Sequence, residues 1–287
     1  MTSPGAFHLD PDEVARSIVK LPSLPAIVLD LLQSMENDGI SGESLAAKIS
    51  GDQALVARLL RIANSSFYGL QRKVLSIPDA IFVLGMSNVR TIALGATLSD
   101  SLSRQLNGTS FNFNSFWRHS VGTALCAQAL AEKFKCSRES AFAAGLMHDI
   151  GQLVLATAFP QHLEAVRKQQ LSIDCQTYEA EWGVLGTDHA RIGQLLTRRW
   201  NFPDALSEAV GAHHNPELLS GNRLACTIHL ADAIAHCLDL NGDEREFVPR
   251  ICPHCWSAAG LAGSDTQEIW AQVEKGLDTF CNLLSIS

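Results

Sequence analysis

The segment that most constrains this chain is AFAAGLMHDIGQLVLATAF, residues 141–159. It is almost wholly apolar and rich in helix-forming residues, so the sequence predicts one helix in the protein core. His148 and Asp149 stand side by side in its middle. Because burying such groups is costly unless they are paired, they are either a satisfied core pair or part of a metal site.

The rest of the chain follows the same helical spacing. Apolar residues recur at intervals of three and four nearly throughout, and the 287 residues include only two Tyr and ten Pro. Apolar residues make up 46% and charged residues 18% of the chain, which is ordinary for a globular protein and argues against disorder. The predicted fold class is therefore all-α and multi-helical, with a substantial hydrophobic core.

The first hundred residues divide into short helices at recognisable breaks. The LPSLP segment ends the first helix and a second begins near Pro25, and further breaks fall at Ser50–Gly51 and near Gly85. A polar stretch, SRQLNGTSFNFNS, follows, and the predicted helices after it are longer. We expect a boundary there, with an N-terminal helical subdomain at 10–105 and a second helical subdomain at 112–287.

Charge and targeting signals limit the partners and the compartment. The formal net charge is −8, so nucleic acid is not an expected partner. The start, MTSPGAFHLDPDEVA, lacks the layout of a signal peptide, and no apolar run is expected to approach the length needed to span a bilayer. A cytoplasmic location is predicted.

Two of the eight cysteines form a C-x-x-C pattern, Cys252-Pro-His-Cys255. Such a pair could be redox-active or half of a zinc site. A redox motif would be expected in an α/β setting, and a zinc site would need a second, suitably spaced pair, neither of which the sequence offers. The prediction is a surface turn with two reduced thiols.

Histidines and aspartates lie inside apolar patterns of the second half, on separate predicted helices. Small residues flank them, which would let those helices approach closely. Neutral imidazoles with carboxylates suit Fe, Mn, Zn or similar divalent metals, and two such metals could clamp a phosphate. The candidate ligands are His119, His148, Asp149, His189, His213, His214 and Asp232.

Each of these residues also has a simpler explanation. Asp232 lies four residues before His236, so a local helix-surface pair would satisfy it. His189 could pair with a carboxylate such as Asp188. Adjacent residues lie about 100° apart around a helix, so at most one of His213 and His214 is expected to face any site.

Several motifs together resemble the bacterial HDOD domain, a relative of the HD superfamily of metal-dependent phosphohydrolases. They occur in the order LPSLPAIVLDLL, ANSSFYG, IPDAIFVLG, FWRHS, AGLMHDIGQLVL, HARIGQLLTRRWNFPDALSEAVGAHHNP and ADAIAH. The resemblance covers nearly the whole chain. It implies an N-terminal helical subdomain packed on an HD-like helical bundle.

The resemblance also implies how the candidate ligands are shared between two divalent metals, each Fe, Mn, Zn or Mg. One metal would be held by His119, His148, Asp149 and Asp232. The second would be held by His189 and by one of His213 or His214, with Asp149 bridging the two metals.

Two departures bear on activity. Related cyclic-dinucleotide phosphodiesterases carry a lysine after HDIG, where this chain has Gln152, and a Gly-Tyr-Pro motif that is absent here. The expected function is therefore a regulatory signalling module that binds a protein partner or a small phosphorylated ligand and retains a metal site. The alternatives are a metal-dependent phosphohydrolase, acting on a nucleotide or cyclic dinucleotide through a metal-activated water, and a haem or redox sensor.

Overall fold

The chain folds into α-helices joined by short turns. The computed structural model describes residues 7–21, 23–36, 41–65, 68–105, 111–219, 221–239 and 248–284, and over these residues it contains no β-strand. The predicted all-α, multi-helical fold class is confirmed. In chain order the helices are α1 (Pro11–Lys20), α2 (Ala26–Glu36), α3 (Gly42–Ser50), α4 (Gln53–Ala63), α5 (Ile77–Leu84), α6 (Met86–Gln105), α7 (Phe113–Leu130), α8 (Arg138–Met147), α9 (Gly151–Ala158), α10 (Pro160–Ile173), α11 (Thr177–Leu185), α12 (His189–Arg199), α13 (Asp204–Ala212), α14 (Arg223–Cys237), α15 (Pro253–Ala259) and α16 (Gly263–Leu284).

Local capping residues set several helix starts. The Asp10 carboxylate accepts a hydrogen bond from the Asp12 amide at 3.0 Å, and Pro11 is the first residue of α1. The Ser76 hydroxyl accepts one from the Asp79 amide at 3.2 Å where α5 begins. Each cap satisfies an amide donor that a helix start leaves unpaired.

The predicted breaks in the first hundred residues are confirmed. α2 begins directly after Pro25, and Gly51 with Asp52 separates α3 from α4. Gly85 ends α5 with φ at +82°, a conformation that glycine adopts without steric cost.

Helices α2 to α6, here called the N-terminal group, pack on one another around large aliphatic side chains. Helices α7, α8, α9, α12, α13 and α14, here called the bundle, cross more closely because small residues stand at the crossings. A Cβ on Gly145 of α8 would lie only 2.8 Å from the Cα of Ala124 in α7. The largest fully buried side chains of the N-terminal group are Leu31, Leu45, Ile49, Leu59, Ile62, Ile92, Leu94, Leu98 and Leu102.

Several contacts connect the two groups. α6 packs on α8, and α16 packs on α4, α6 and α7. The Arg90 guanidinium lies 3.0 Å from the Glu139 carboxylate, with both side chains largely buried, and joins α6 to α8. α1 packs on α9 and α12 of the bundle, where the Leu9 amide donates to the Leu185 carbonyl at 2.9 Å. The division into subdomains at 10–105 and 112–287 stays a prediction.

One segment of the described chain, Arg138–Ala158, has the length and apolar composition of a membrane-crossing helix. The expectation that no run would reach this length is therefore wrong. In the structure 83% of that segment's most apolar window is buried, so it forms the centre of the bundle.

Candidate metal centre

The apolar stretch at 141–159 is not one helix, contrary to the sequence prediction. α8 ends at Met147, a turn follows over His148, Asp149 and Ile150, and α9 starts at Gly151. The tertiary packing explains the break. A Cβ on Gly151 would overlap the carbonyl oxygen of His189, so α9 begins in direct backbone contact with the start of α12. The turn brings His148 and Asp149 to the centre of the bundle.

Three imidazoles surround the Asp232 carboxylate, which projects from α14. Its Oδ1 lies 3.0 Å from Nε2 of His119 in α7, 3.5 Å from Nε2 of His148 and 3.2 Å from Nε2 of His236. His119 and His148 face each other with their Nε2 atoms 3.1 Å apart. Asp232 therefore contacts side chains from two other elements, His119 and His148, in addition to His236 in its own helix.

A second set of imidazoles surrounds Asp149. Its Oδ1 lies 3.0 Å from Nε2 of His189, 3.5 Å from Nε2 of His148 and 3.6 Å from Nε2 of His213. The Nε2 atoms of His189 and His214 lie 2.9 Å apart. The other carboxylate oxygen of Asp149 lies 3.9 Å from Nε2 of His119, so Asp149 stands between the two sets.

Both His213 and His214 reach this second set, so the expectation that at most one of them could do so is wrong. α13 ends at Ala212, and the two histidines follow it in a turn, where the 100° helical offset no longer separates their side chains. The Tyr178 ring stacks on the outer face of His214, with ring centroids 4.3 Å apart.

Hydrogen bonds fix which ring nitrogen of His148 and of His213 faces the cluster. Nδ1 of His148 lies 2.7 Å from the Gly145 carbonyl, and Nδ1 of His213 lies 2.7 Å from the Val210 carbonyl. Because a carbonyl oxygen only accepts, each Nδ1 must carry the proton. In the neutral rings, Nε2 therefore directs a lone pair at the carboxylates and at its neighbours, which is the orientation of a metal ligand.

Two residues of the centre were missed by the sequence reasoning. Glu181 of α11 is fully buried, and its Oε2 accepts hydrogen bonds from the His189 amide at 2.7 Å and from His189 Nδ1 at 2.6 Å. His236 was considered only as a surface partner of Asp232. The four-residue spacing of Asp232 and His236 was a usable signal, whereas nothing in the sequence separates Glu181 from the neighbouring Glu179.

Mutual electrostatics set the charge states in the metal-free protein. Burial alone would raise the pKa of Asp149, but the imidazoles of His148 and His189 hold it well below its usual range. Burial lowers the pKa of His213 to about 3. Burial would also lower the pKa of His189, yet the carboxylates of Glu181 and Asp149 hold it well above its usual value. Ionised carboxylates and neutral imidazoles are the forms that bind metals, so a metal bound at His189 would displace the proton of that ring.

The donor set fits divalent metal ions. Among the described residues, His213 Nε2 and Asp232 Oδ1 are buried and have no partner with hydrogen-bond geometry, although imidazole nitrogens lie close to Asp232 Oδ1. Converging lone pairs without a proton between them repel one another, and a cation removes that repulsion. Four overlapping groups place one ligand atom per residue within 4.8 Å of one another: His189, His213 and His214; His119, Asp232 and His236; His119, His148 and Asp149; and His148, His213 and Asp232.

A cavity of about 840 Å³ opens over this cluster. Gln152 lines it and donates a hydrogen bond from its side chain to Asp149 Oδ2 at 2.8 Å. A neutral amide thus occupies the position at which the related phosphodiesterases carry a lysine. Arg167 and Lys168 of α10 also line the cavity.

The prediction of a surface turn with two reduced thiols at Cys252 and Cys255 is wrong. Cys255 is fully buried and forms a disulfide with Cys226 of α14, and Cys252 is also buried. Nothing in the sequence indicates this pairing, because Cys226 lies 29 residues from Cys255 inside an apolar helical pattern.

Comparisons with known proteins agree on one family. The model of the HDOD domain matches residues 21–216. A curated protein of Treponema pallidum (strain Nichols), named only as an uncharacterized protein, is 28% identical over 207 residues. That alignment covers 70% of this chain and 39% of the relative, so the chain spans well under half of the relative's length.

Solved structures share the fold over nearly the whole chain. An HDOD domain protein with unknown function from Geobacter sulfurreducens is 23% identical with a TM-score of 0.77, covering 94% of this chain and 96% of that one. A protein from Shewanella amazonensis SB2B, provisionally named a phosphohydrolase, is 25% identical with a TM-score of 0.75. The match covers 95% of this chain and 98% of that one. A provisionally named signal transduction protein from Marinobacter aquaeolei VT8 is 23% identical with a TM-score of 0.75. The match covers 96% of this chain and 65% of that one.

Proposed function

The chain belongs to the HDOD domain family, and from that premise we propose that it is a regulatory module of bacterial signal transduction that holds a divalent-metal centre. Its partner would be a protein of the signalling pathway or a small phosphorylated ligand. The provisional name of the Marinobacter aquaeolei structure supports the signalling role at the level of the fold.

One observation carries the metal part of this proposal, namely the burial and convergence of the imidazole and carboxylate ligand atoms. His119, His148, Asp149 and Asp232 would hold one ion, with His236 beside them. His189, His213 and His214 would hold a second, with Asp149 between the two. Glu181 and the carbonyls of Gly145 and Val210 hold the rings in place.

The regulatory reading is supported by Gln152. Bound divalent ions would polarise a phosphoryl group and stabilise its charge. A lysine at residue 152 would add a point charge beside that group, whereas the Gln152 amide is neutral and its donor is directed to Asp149. This arrangement favours holding a ligand over cleaving it.

Elemental analysis of the untagged protein tests the metal centre. We expect up to two Fe, Mn or Zn ions per chain, and their loss in Asp149→Ala. The matched control is Asp278→Ala, which removes a carboxylate from an exposed side chain and should keep the wild-type metal content. A folded wild-type protein that binds none of these ions when they are supplied would refute the metal centre.

A second function, metal-dependent phosphohydrolysis, is favoured by one specific observation, the cavity that opens directly over the cluster. The provisional name of the Shewanella amazonensis structure points the same way. The test is turnover of bis(4-nitrophenyl) phosphate by Mn-loaded and Fe-loaded protein. Turnover that disappears in Asp149→Ala and persists in Asp278→Ala would replace the regulatory proposal with the hydrolase.

A further inference from the structure

The Cys226–Cys255 disulfide holds α15, a helix that the proposed function does not use. It joins α14, which also carries Asp232, to the short helix α15. None of the other six cysteines of the chain forms a disulfide, which is the pattern of a protein kept largely reduced and not of one stabilised by several disulfides. A single disulfide in such a chain is more often responsive to redox conditions than structural.

The start of α15 is connected to the metal centre by two hydrogen bonds in series. The Cys252 amide, at the N-terminal cap of α15, donates to Nε2 of His229 at 2.9 Å. Nδ1 of the same imidazole then donates to the backbone carbonyl of His213 at 2.7 Å. His229 is buried, and both of its ring nitrogens are used in this connection. We call the path from Cys252 through His229 to His213 the latch.

The disulfide and the latch hold the same helix by different means. The covalent bond fixes Cys255 in the first turn of α15, three residues after the latch donor Cys252. Cleavage of the bond leaves the latch, together with the 3.2 Å contact of the Cys252 thiol with the Glu217 carboxylate, to hold the start of α15. The latch is then free to open, since a hydrogen bond to a short, largely exposed helix is readily lost by local unfolding.

We propose that Cys226 and Cys255 are a reversible redox switch that controls the latch and, through it, the backbone of His213. Oxidation by a small-molecule disulfide closes the switch. The Cys226 thiolate attacks that disulfide and expels one thiol, and the Cys255 thiolate then displaces the second. The net change is two protein thiols and one small disulfide converted into one protein disulfide and two small thiols. A small dithiol reverses the reaction.

Thiol counting and peptide mapping test the switch itself, using glutathione disulfide and dithiothreitol as the probes. After unfolding without reductant, the oxidised full-length protein should show six reactive thiols and a linked peptide pair containing Cys226 and Cys255, and the reduced protein eight thiols. Eight thiols in both samples, or a Cys252–Cys255 link, would overturn the proposal. Cys175→Ser is the matched control and should lower both counts by one without changing the linkage.

Amide hydrogen exchange tests the latch, first in the wild-type protein. The peptide that contains Cys252 should exchange at least several-fold faster in the reduced protein than in the oxidised one. His229→Gln should raise exchange in the oxidised protein toward the reduced rate. Equal exchange of this peptide in the two redox states would overturn the link between the disulfide and the latch.

The connection to metal binding rests on the proposed function and has its own measurement. Zinc release to a chromogenic chelator, after removal of the reductant, should be faster from the reduced protein, by a factor of about 10 or more if the latch acts as other ligand-orienting contacts do. Equal release from the two states would overturn control of the centre by the switch. A protein that binds no zinc in either redox state would instead contradict the proposed metal centre. The amide exchange of the Cys252 peptide would then still show whether the disulfide controls the latch.

Discussion

The N-terminal group and the bundle are both built only of helices, but their interiors are filled differently. In the N-terminal group, large aliphatic side chains such as Leu59 and Ile62 separate the helices and occupy the space between them. In the bundle, glycines and alanines bring backbones into contact, as at Gly145 and Gly151. The bundle also buries large apolar side chains such as Phe142, but only its interior holds the cluster of imidazoles and carboxylates.

This difference explains why the ionisable cluster lies where it does. Close helix crossings bring short side chains and helix ends from several elements to one point, which a layer of leucines would keep apart. The close contact also places main-chain carbonyls, such as those of Gly145 and Val210, where they orient imidazoles. Substitutions that enlarge a small residue or remove a polar partner should therefore impair the bundle. Substitutions that truncate a buried side chain should destabilise the N-terminal group.

Gly151→Ala should have the largest effect. Its Cβ would overlap the His189 carbonyl oxygen, so α9 and α12 would have to separate, and we expect a loss of more than about 3 kcal/mol of unfolding free energy. Urea unfolding of the chelator-treated protein measures it. The control is Gly183→Ala in α11, where nothing lies within 4 Å of the added atom and a change of at most about 1 kcal/mol is expected. An unchanged unfolding midpoint for Gly151→Ala would refute the close crossing.

Leu59→Ala applies the opposite change to the N-terminal group. Leu59 is fully buried, so truncation should leave a cavity and cost about 2–5 kcal/mol. Leu75→Ala, at a side chain that is 78% exposed, should change stability by less than about 0.5 kcal/mol. Chemical denaturation of the two variants gives the comparison, and metal binding by folded Leu59→Ala should match that of the wild type. Weakened metal binding would show that the two groups are not independent.

Glu181→Gln removes a polar partner from the bundle with little change of shape. Without the carboxylate, His189 is no longer held by a charged acceptor, and metal affinity should fall by about 10–100-fold. Zinc titration against a competing chelator measures the affinity. In the metal-free variant, NMR titration should also show a lower pKa for His189, a change that a purely structural role would not cause. Glu274→Gln, at an exposed site on α16, serves as the control.

Over the interval from pH 6.5 to 5, the pH dependence of stability should be the smallest effect. Burial lowers the pKa of His213 to about 3, so below pH ~6.5 the unfolded chain takes up a proton that the folded chain refuses. Metal-free protein should lose about 1 kcal/mol per pH unit from this group as the pH falls from ~6.5 toward 3. The raised pKa of His189 has the opposite effect on the pH dependence. Its contribution to the free energy of unfolding is fully present below pH ~6.5 and is lost as the pH rises through the pKa of His189 in the folded protein.

Urea unfolding at pH 5 and 6.5 measures this slope. His254→Asn, at an exposed histidine, should keep the wild-type slope, whereas His213→Asn should make it shallower and leave the part due to the lowered pKa values of His214 and His119. A wild-type slope of zero across this interval would mean that His213 is protonated or exposed in the folded protein.

Much of the fold could be predicted because helix starts and breaks are local. Asp10, Ser76 and Gly85 act on amides and carbonyls within a few residues, so their effect is visible in the sequence. The candidate ligands could also be named, because imidazoles and carboxylates inside apolar patterns are costly without a partner. The roles of Glu181 and His236 and the break at 148–150 depend on contacts from elsewhere in the chain.

The sequence by itself therefore determined the helical class, the capping of helices, and the identity of most residues that now lie together in the bundle. The tertiary structure alone decided that the apolar stretch breaks at His148, that both His213 and His214 reach the cluster, and that Cys255 pairs with Cys226. The physical reason is the distance along the chain over which each interaction acts. Capping and periodicity act within one or two turns of a helix, whereas the crossing of α9 and α12 and the Cys226–Cys255 pair join residues that are about 30 or more positions apart and meet only after the helices have packed.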